Sequence, residues 1–175
     1  MKNPWLSKLQ KLAFVAATAL PLLGQAQTIS SELTVMGVTK QSDGKEQLSP
    51  VTAVKPGDLL QYTAVYKNSG KQSAKDMVAT LPIPPETEYV ASSSVPATAM
   101  ASVDGKVFEP MPLIRKVKQA DGKLVTVSVP LAEYRFVRWP QRDLAAAASF
   151  TTSARVRVIS TAATLPSAVA TSATR

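Results

Sequence analysis

The triplet Asp-Gly-Lys occurs three times, as Asp43-Gly44-Lys45, Asp104-Gly105-Lys106 and Asp121-Gly122-Lys123. Asp-Gly is favoured where adjacent turn residues need positive φ, the geometry that reverses two twisted strands tightly. Each aspartate stands without the closely spaced oxygen ligands that a calcium loop requires. The triplets therefore predict three β-hairpins. Thirteen prolines in 175 residues speak against long helices, because an internal proline removes a hydrogen bond and clashes with the preceding turn.

Between the turns runs the period of two that marks a half-buried strand. In residues 149–159, Phe150, Thr152, Ala154, Val156 and Val158 fall on one face, and Thr151, Ser153, Arg155 and Arg157 on the other. Residues 59–67 alternate likewise, placing Leu60, Tyr62, Ala64 and Tyr66 together. Weaker strands are expected over 33–39, 47–54, 77–81, 88–91, 101–108, 114–118, 124–129 and 134–139. Leu81-Pro82-Ile83-Pro84-Pro85 cannot donate a regular ladder, so it should end a strand at an edge or cross between sheets. The Ala145 to Ala148 run has room for no more than a helical turn. Many short strands with one apolar face each imply an all-β, antiparallel β-sandwich, carrying an inserted pair of hairpins between Val95 and Pro130.

Residues 1–26 have the pattern of a cleaved signal peptide. Lys2, Lys8 and Lys11 supply a positive start without acids, and Leu12 to Leu23 is apolar apart from Thr18 and Pro21. Gly24-Gln25-Ala26 puts small residues at the positions that precede cleavage, so the cut is expected between Ala26 and Gln27. The apolar run is shorter than the ~20 residues a membrane span needs, so no transmembrane segment is expected in the mature form. A Sec-type export to the periplasm or the extracellular space follows. Residues 27–159 are then the folded domain, and the Ser/Thr/Ala-rich stretch 160–175 is expected to be a disordered tail.

Cysteine and histidine are both absent. That excludes disulfides, thiolate nucleophiles, Cys/His zinc sites and histidine-based catalytic triads. Glu86 and Glu88 would share a strand face and invite comparison with glycosidase carboxylates. Such pairs occur on any solvated strand, however, and no general acid is identifiable. The expectation is a protein that is not an enzyme, with no catalytic residue, no metal and no cofactor.

Charge is the most uneven feature. The chain carries +8 overall, yet residues 27–105 are net −2 and residues 106–175 net +7. Arg115, Lys116, Arg135, Phe136, Arg138, Arg155 and Arg157 form the candidate interaction surface. Together with Lys118 and Arg142, the cations are expected on one sheet surface. Such a face would meet an anionic glycan, lipopolysaccharide phosphates or an acidic protein. Alternatively it is a solvated face whose arginines blunt edge pairing. Phe136 should point outward beside Arg138 if Val137 and Trp139 face the core, either free for contact or covered by the inserted hairpin.

Val54-Lys55-Pro56-Gly57-Asp58, then Tyr62-Thr63, Lys67-Asn68-Ser69-Gly70 and a strand closing at Leu81-Pro82, resemble a bacterial Ig-like surface repeat. This is the domain-of-unknown-function 11 family, here in a single copy. Val137 to Trp139 and Phe150 to Val158 are similar to its closing strands. Ala79 stands where family members often carry an acid, and Ala145 to Ala148 replaces a turn that often holds glycine. The resemblance implies an Ig-like sandwich serving as an exported structural or protein-interaction module of the bacterial cell envelope, without enzymatic activity. The expected partner is another envelope protein or an anionic envelope glycan, not nucleic acid. Oligomeric state, and whether an edge strand is donated between molecules, stay open at this point.

Overall fold

The computed structural model describes residues 29–140 and 143–159. The expected leader and its cleavage point at Ala26 and Gln27, Arg142, and the expected tail 160–175 lie outside the described residues.

Within the described residues, thirteen strands and one 3-10 turn follow in order. They are β1 (Ile29–Lys40), β2 (Glu46–Pro50), β3 (Leu59–Asn68), β4 (Ala74–Lys75), β5 (Val78–Pro82), β6 (Thr87–Tyr89), β7 (Met100–Ser102), β8 (Glu109–Pro110), β9 (Ile114–Lys118), β10 (Leu124–Ser128), the turn Leu131–Glu133, β11 (Phe136–Pro140), β12 (Asp143–Leu144) and β13 (Ser149–Val158). One sheet has the order β2-β1-β3-β13-β6 and the other β5-β11-β7-β8; β4 with β12, and β9 with β10, form separate two-stranded sheets. All these pairings are antiparallel.

Alternation decides what lies between the two main sheets. Leu60, Tyr62, Ala154, Val156 and Val158 of the first sheet pack in one cluster with Ala79, Leu81, Ala101, Val137 and Trp139 of the second. Two sheets with side chains interdigitating in one shared core constitute a β-sandwich. Tyr62 and Trp139 are both almost fully buried, as large aromatic residues between sheets should be. Burial pushes the Tyr62 hydroxyl up to about 12. Tyr66 clasps the sheets together at the rim: its hydroxyl donates to the Thr80 carbonyl and accepts from the Thr80 N–H, both at 3.2 Å.

All three Asp-Gly-Lys triplets sit at hairpin turns, joining β1 to β2, β7 to β8 and β9 to β10. The glycines have φ of 82°, 76° and 85°. In each turn the aspartate carboxylate accepts the backbone N–H of the following lysine, at 3.0, 2.8 and 3.0 Å. Pro82 ends β5, an edge strand, and the chain then crosses to β6 at the edge of the other sheet. Proline tolerates those places because no ladder bond is lost there.

The strand expected over 101–108 is not continuous. It is interrupted after Ser102, because Asp104 accepts the N–H groups of both Lys106 and Val107 and draws them into a turn. Nor does the Ala145 to Ala148 run form helix. Ala148 donates to the Ala145 carbonyl at 3.1 Å in a single turn, with Ala147 at φ 58°.

Candidate functional site

The candidate cations do not share one sheet surface. Arg155 and Arg157 lie on β13 of the five-stranded sheet, and Arg138 on β11 of the four-stranded sheet. Arg135 immediately precedes β11, while Arg115, Lys116 and Lys118 belong to β9 of the separate hairpin. Sequential proximity of charges says nothing about sheet membership, which is set by long-range pairing. That is why the single-surface expectation fails.

Most of these groups are also engaged. Arg155 grips Glu46 with two hydrogen bonds of 2.9 and 2.7 Å and reaches Gln61 at 3.1 Å. The guanidinium holds the Glu46 carboxyl below its usual range. Arg115 makes the same two-pronged contact with Glu133, at 2.6 and 3.0 Å, which raises the arginine further. Arg135 turns back on the Ala132 and Tyr134 carbonyls, and Arg157 donates to the Gly57 carbonyl.

Phe136 and Arg138 do point away from the core, and the β7–β8 hairpin covers them. Phe108 meets Phe136 edge to face with centroids 6.5 Å apart. The Arg138 guanidinium stacks 3.4 Å above the Phe108 ring and donates to the Thr80 hydroxyl. This cation–π stack is a small second core on the outer side of the sheet. Gly105 lies over the Phe136 ring, where a Cβ would come within 2.9 Å of Cε2.

Tyr134 is fully buried although it precedes β11. It follows the 3-10 turn, so strand parity does not govern it. Its ring stacks on Tyr89 at 5.7 Å, and its hydroxyl accepts the Leu113 N–H at 2.7 Å. Beside this pair opens a cavity of about 410 Å³, lined by Tyr89, Ser94, Ala99, Met111, Leu131 and Tyr134 among others. Among the described residues, no acidic or basic side chain lines it. The Tyr89 and Ser94 hydroxyls bond each other at 2.8 Å. Such a cavity can seat an apolar group beside the Tyr89 and Ser94 hydroxyls.

Residues 114–128 are the part whose environment sequence reasoning missed. β9 and β10 pair only with each other among the described residues, and nine of their ten residues are exposed. Ile114 and Leu124 are 58% and 67% exposed, and Val117 and Val127 also reach solvent. The register places Ile114, Lys116, Lys118, Leu124, Thr126 and Ser128 on one face, and Arg115, Val117, Val125 and Val127 on the other. The arm is anchored at its base, where Leu113 and Val129 join the core and Arg115 holds Glu133. A signal was available: apolar residues fall on both faces of this hairpin, so neither face has the segregation that burial would impose.

No family model matches the chain, and no curated protein matches it. The candidate surface therefore rests on the residues and their geometry.

Proposed function

We propose that this chain is an exported, non-enzymatic Ig-like domain that serves as a structural or protein-interaction module of the bacterial cell envelope. The single observation that carries the interaction part is the β9–β10 arm, with Ile114, Val117, Leu124 and Val127 in solvent. An isolated two-stranded hairpin is marginal in water. The arm leaves apolar side chains in solvent on both of its faces, Ile114 and Leu124 on one and Val117 and Val127 on the other, as a contact element would. Export is supported by the leader pattern of residues 1–26. The Ig-like assignment is supported by the Pro56-Gly57-Asp58 turn, in which Gly57 adopts φ 94° and donates its N–H to the Val158 carbonyl, and by the Asn68-Ser69-Gly70 corner.

The test is fractionation of cells producing a tagged chain, followed by capture and cross-linking in the envelope fraction. The tagged protein is expected in periplasm or medium, shortened at Gln27, with cross-links that disappear in Leu124→Asp. Retention in the cytoplasm at full length would overturn export. Cross-links indifferent to Leu124→Asp would overturn the arm as contact element.

The second reading, an anionic glycan or lipopolysaccharide ligand, draws support from Lys116 and Lys118. They share one face of the arm and have no ion-pair partner among the described residues. Reversing both charges should lower the salt needed to elute the protein from heparin. Unchanged elution sinks this reading.

A further inference from the structure

The two strands of the arm differ in one property that decides what can pair with each. β9, Ile-Arg-Lys-Val-Lys, carries Arg115, Lys116 and Lys118. β10, Leu-Val-Thr-Val-Ser, has no charge, no proline and no glycine. Cations, prolines and bulges are the devices that keep an edge strand from accepting another. β9 has the first of them and β10 has none. Its Val-Thr-Val centre is instead the β-branched composition that strands favour. Each strand leaves one backbone edge unpaired among the described residues, because the arm is a sheet of two.

The hydrogen bonds of the arm define which groups of β10 face outward. Val129 donates to the Leu113 carbonyl and Gln119 to the Lys123 carbonyl. In an antiparallel ladder the backbone groups of successive residues alternate between the two sides. Val125 and Val127 therefore bond to β9, while Leu124, Thr126 and Ser128 direct N–H and C=O away from it. These three positions are symmetric about Thr126.

We propose that β10 pairs antiparallel with β10 of a second copy of this chain, across a two-fold axis at Thr126. The interaction reading of the arm underlies this step, which names the arm's partner. Thr126 lies opposite Thr126 of the second copy, and Leu124 opposite Ser128 of the second copy, so the outward N–H and C=O groups of both copies are satisfied. The contact is isologous and closes on itself. It converts two marginal hairpins into one four-stranded sheet with the order β9-β10-β10-β9. On one face Val117, Val125 and Val127 of each copy become a continuous stripe. The cations of β9 fall on the two outer edges, where they oppose further strand addition and would disfavour the alternative β9-to-β9 pairing.

The experiment uses the purified chain beginning at Gln27, in sedimentation velocity over a concentration series. A dimer is expected for the unaltered protein. Thr126→Pro should sediment as a monomer with its β circular dichroism retained, since the Thr126 N–H is not spent on β9. The chain has no cysteine, so single thiols report position. Thr126→Cys should oxidise to a disulfide-linked dimer, because directly opposed residues of a hydrogen-bonded pair have Cα atoms about 5.5 Å apart. Lys116→Cys, on the outer strand, should not. A monomeric unaltered chain, a Thr126→Pro dimer, or equal cross-linking through Lys116→Cys would each overturn the proposal. If the chain is monomeric while Leu124→Asp still abolishes envelope cross-links, the second copy is wrong and the interaction reading stands.

Discussion

The side-chain amide of Asn68 donates to the Leu144 carbonyl at 2.9 Å across 76 positions of sequence. The same nitrogen lies 2.8 Å from the Gln72 carbonyl and 3.1 Å from that of Ala145, while its oxygen accepts the Gly70 N–H. Asn68 is fully buried, and its bond to the Leu144 carbonyl is buried with it. Asn68 thus ties the end of β3 to β12 and to the turn that launches β13.

Replacing it should be expensive. Asn68→Ala strips the buried Leu144 carbonyl of its nearest side-chain donor, leaving it the Ser73 hydroxyl at 3.4 Å, and removes the acceptor of the Gly70 N–H. It is expected to cost about 2 kcal/mol. Asn68→Asp should do no better, since a carboxylate has no N–H to offer and faces the same carbonyl oxygens. Urea denaturation of both variants checks this. A loss below about 1 kcal/mol in either would show that the contacts are dispensable.

Two turn glycines separate backbone strain from side-chain crowding. Gly44 has φ 82° and open space where a Cβ would stand, whereas Gly105 has φ 76° and the Phe136 ring at 2.9 Å from that position. Gly44→Ala should cost about 1 kcal/mol from the left-handed backbone alone. Gly105→Ala should cost clearly more, since the ring must shift and the Phe108–Arg138 stack with it. Equal losses in thermal or urea unfolding would contradict the crowding.

Thr152 faces inward on β13, and its buried hydroxyl has no hydrogen-bond partner among the described residues. Valine has the same shape without the polar atom. Thr152→Val is expected to stabilise the protein by roughly 1 kcal/mol, the cost of an unsatisfied buried hydroxyl. A destabilised variant would mean that the hydroxyl is satisfied in solution.

Asp104 is held below the usual aspartate range by the backbone N–H of Lys106, then that of Val107 and the Ser102 hydroxyl. A depressed folded value means that the ionised form stabilises the fold above the ordinary value, and that this contribution is lost as pH falls through the depressed one. Asp104→Asn should therefore be less stable than the unaltered chain at neutral pH, with the gap closing in acid. A gap in urea midpoint that stays constant from neutral to acid pH would rule out the carboxylate as its source.

Strand positions are largely legible in the sequence. Residues 114–118 read as a strand and are β9, 59–67 and 149–159 match β3 and β13 within a residue, and every Asp-Gly-Lys triplet turns a hairpin. Period and turn chemistry are properties of a few adjacent residues, so they can be read locally. Phe136 and Arg138 are legible as outward-facing for the same reason, once Val137 and Trp139 are assigned to the core.

Partnership cannot be read locally. Arg115, Arg138 and Arg155 look alike in a charge count, yet one grips Glu133, one stacks on Phe108 and one grips Glu46. The last of these pairs joins residues 109 positions apart. The Tyr134 position escapes parity because a 3-10 turn precedes it. The exposure of β9 and β10 depends on their joining neither main sheet. Local sequence specifies which residues extend and which turn, through steric and hydrogen-bonding preferences of the backbone. Which strands become neighbours, and so which charges meet and which apolar residues stay in solvent, emerges only when the whole chain minimises its buried unpaired groups at once.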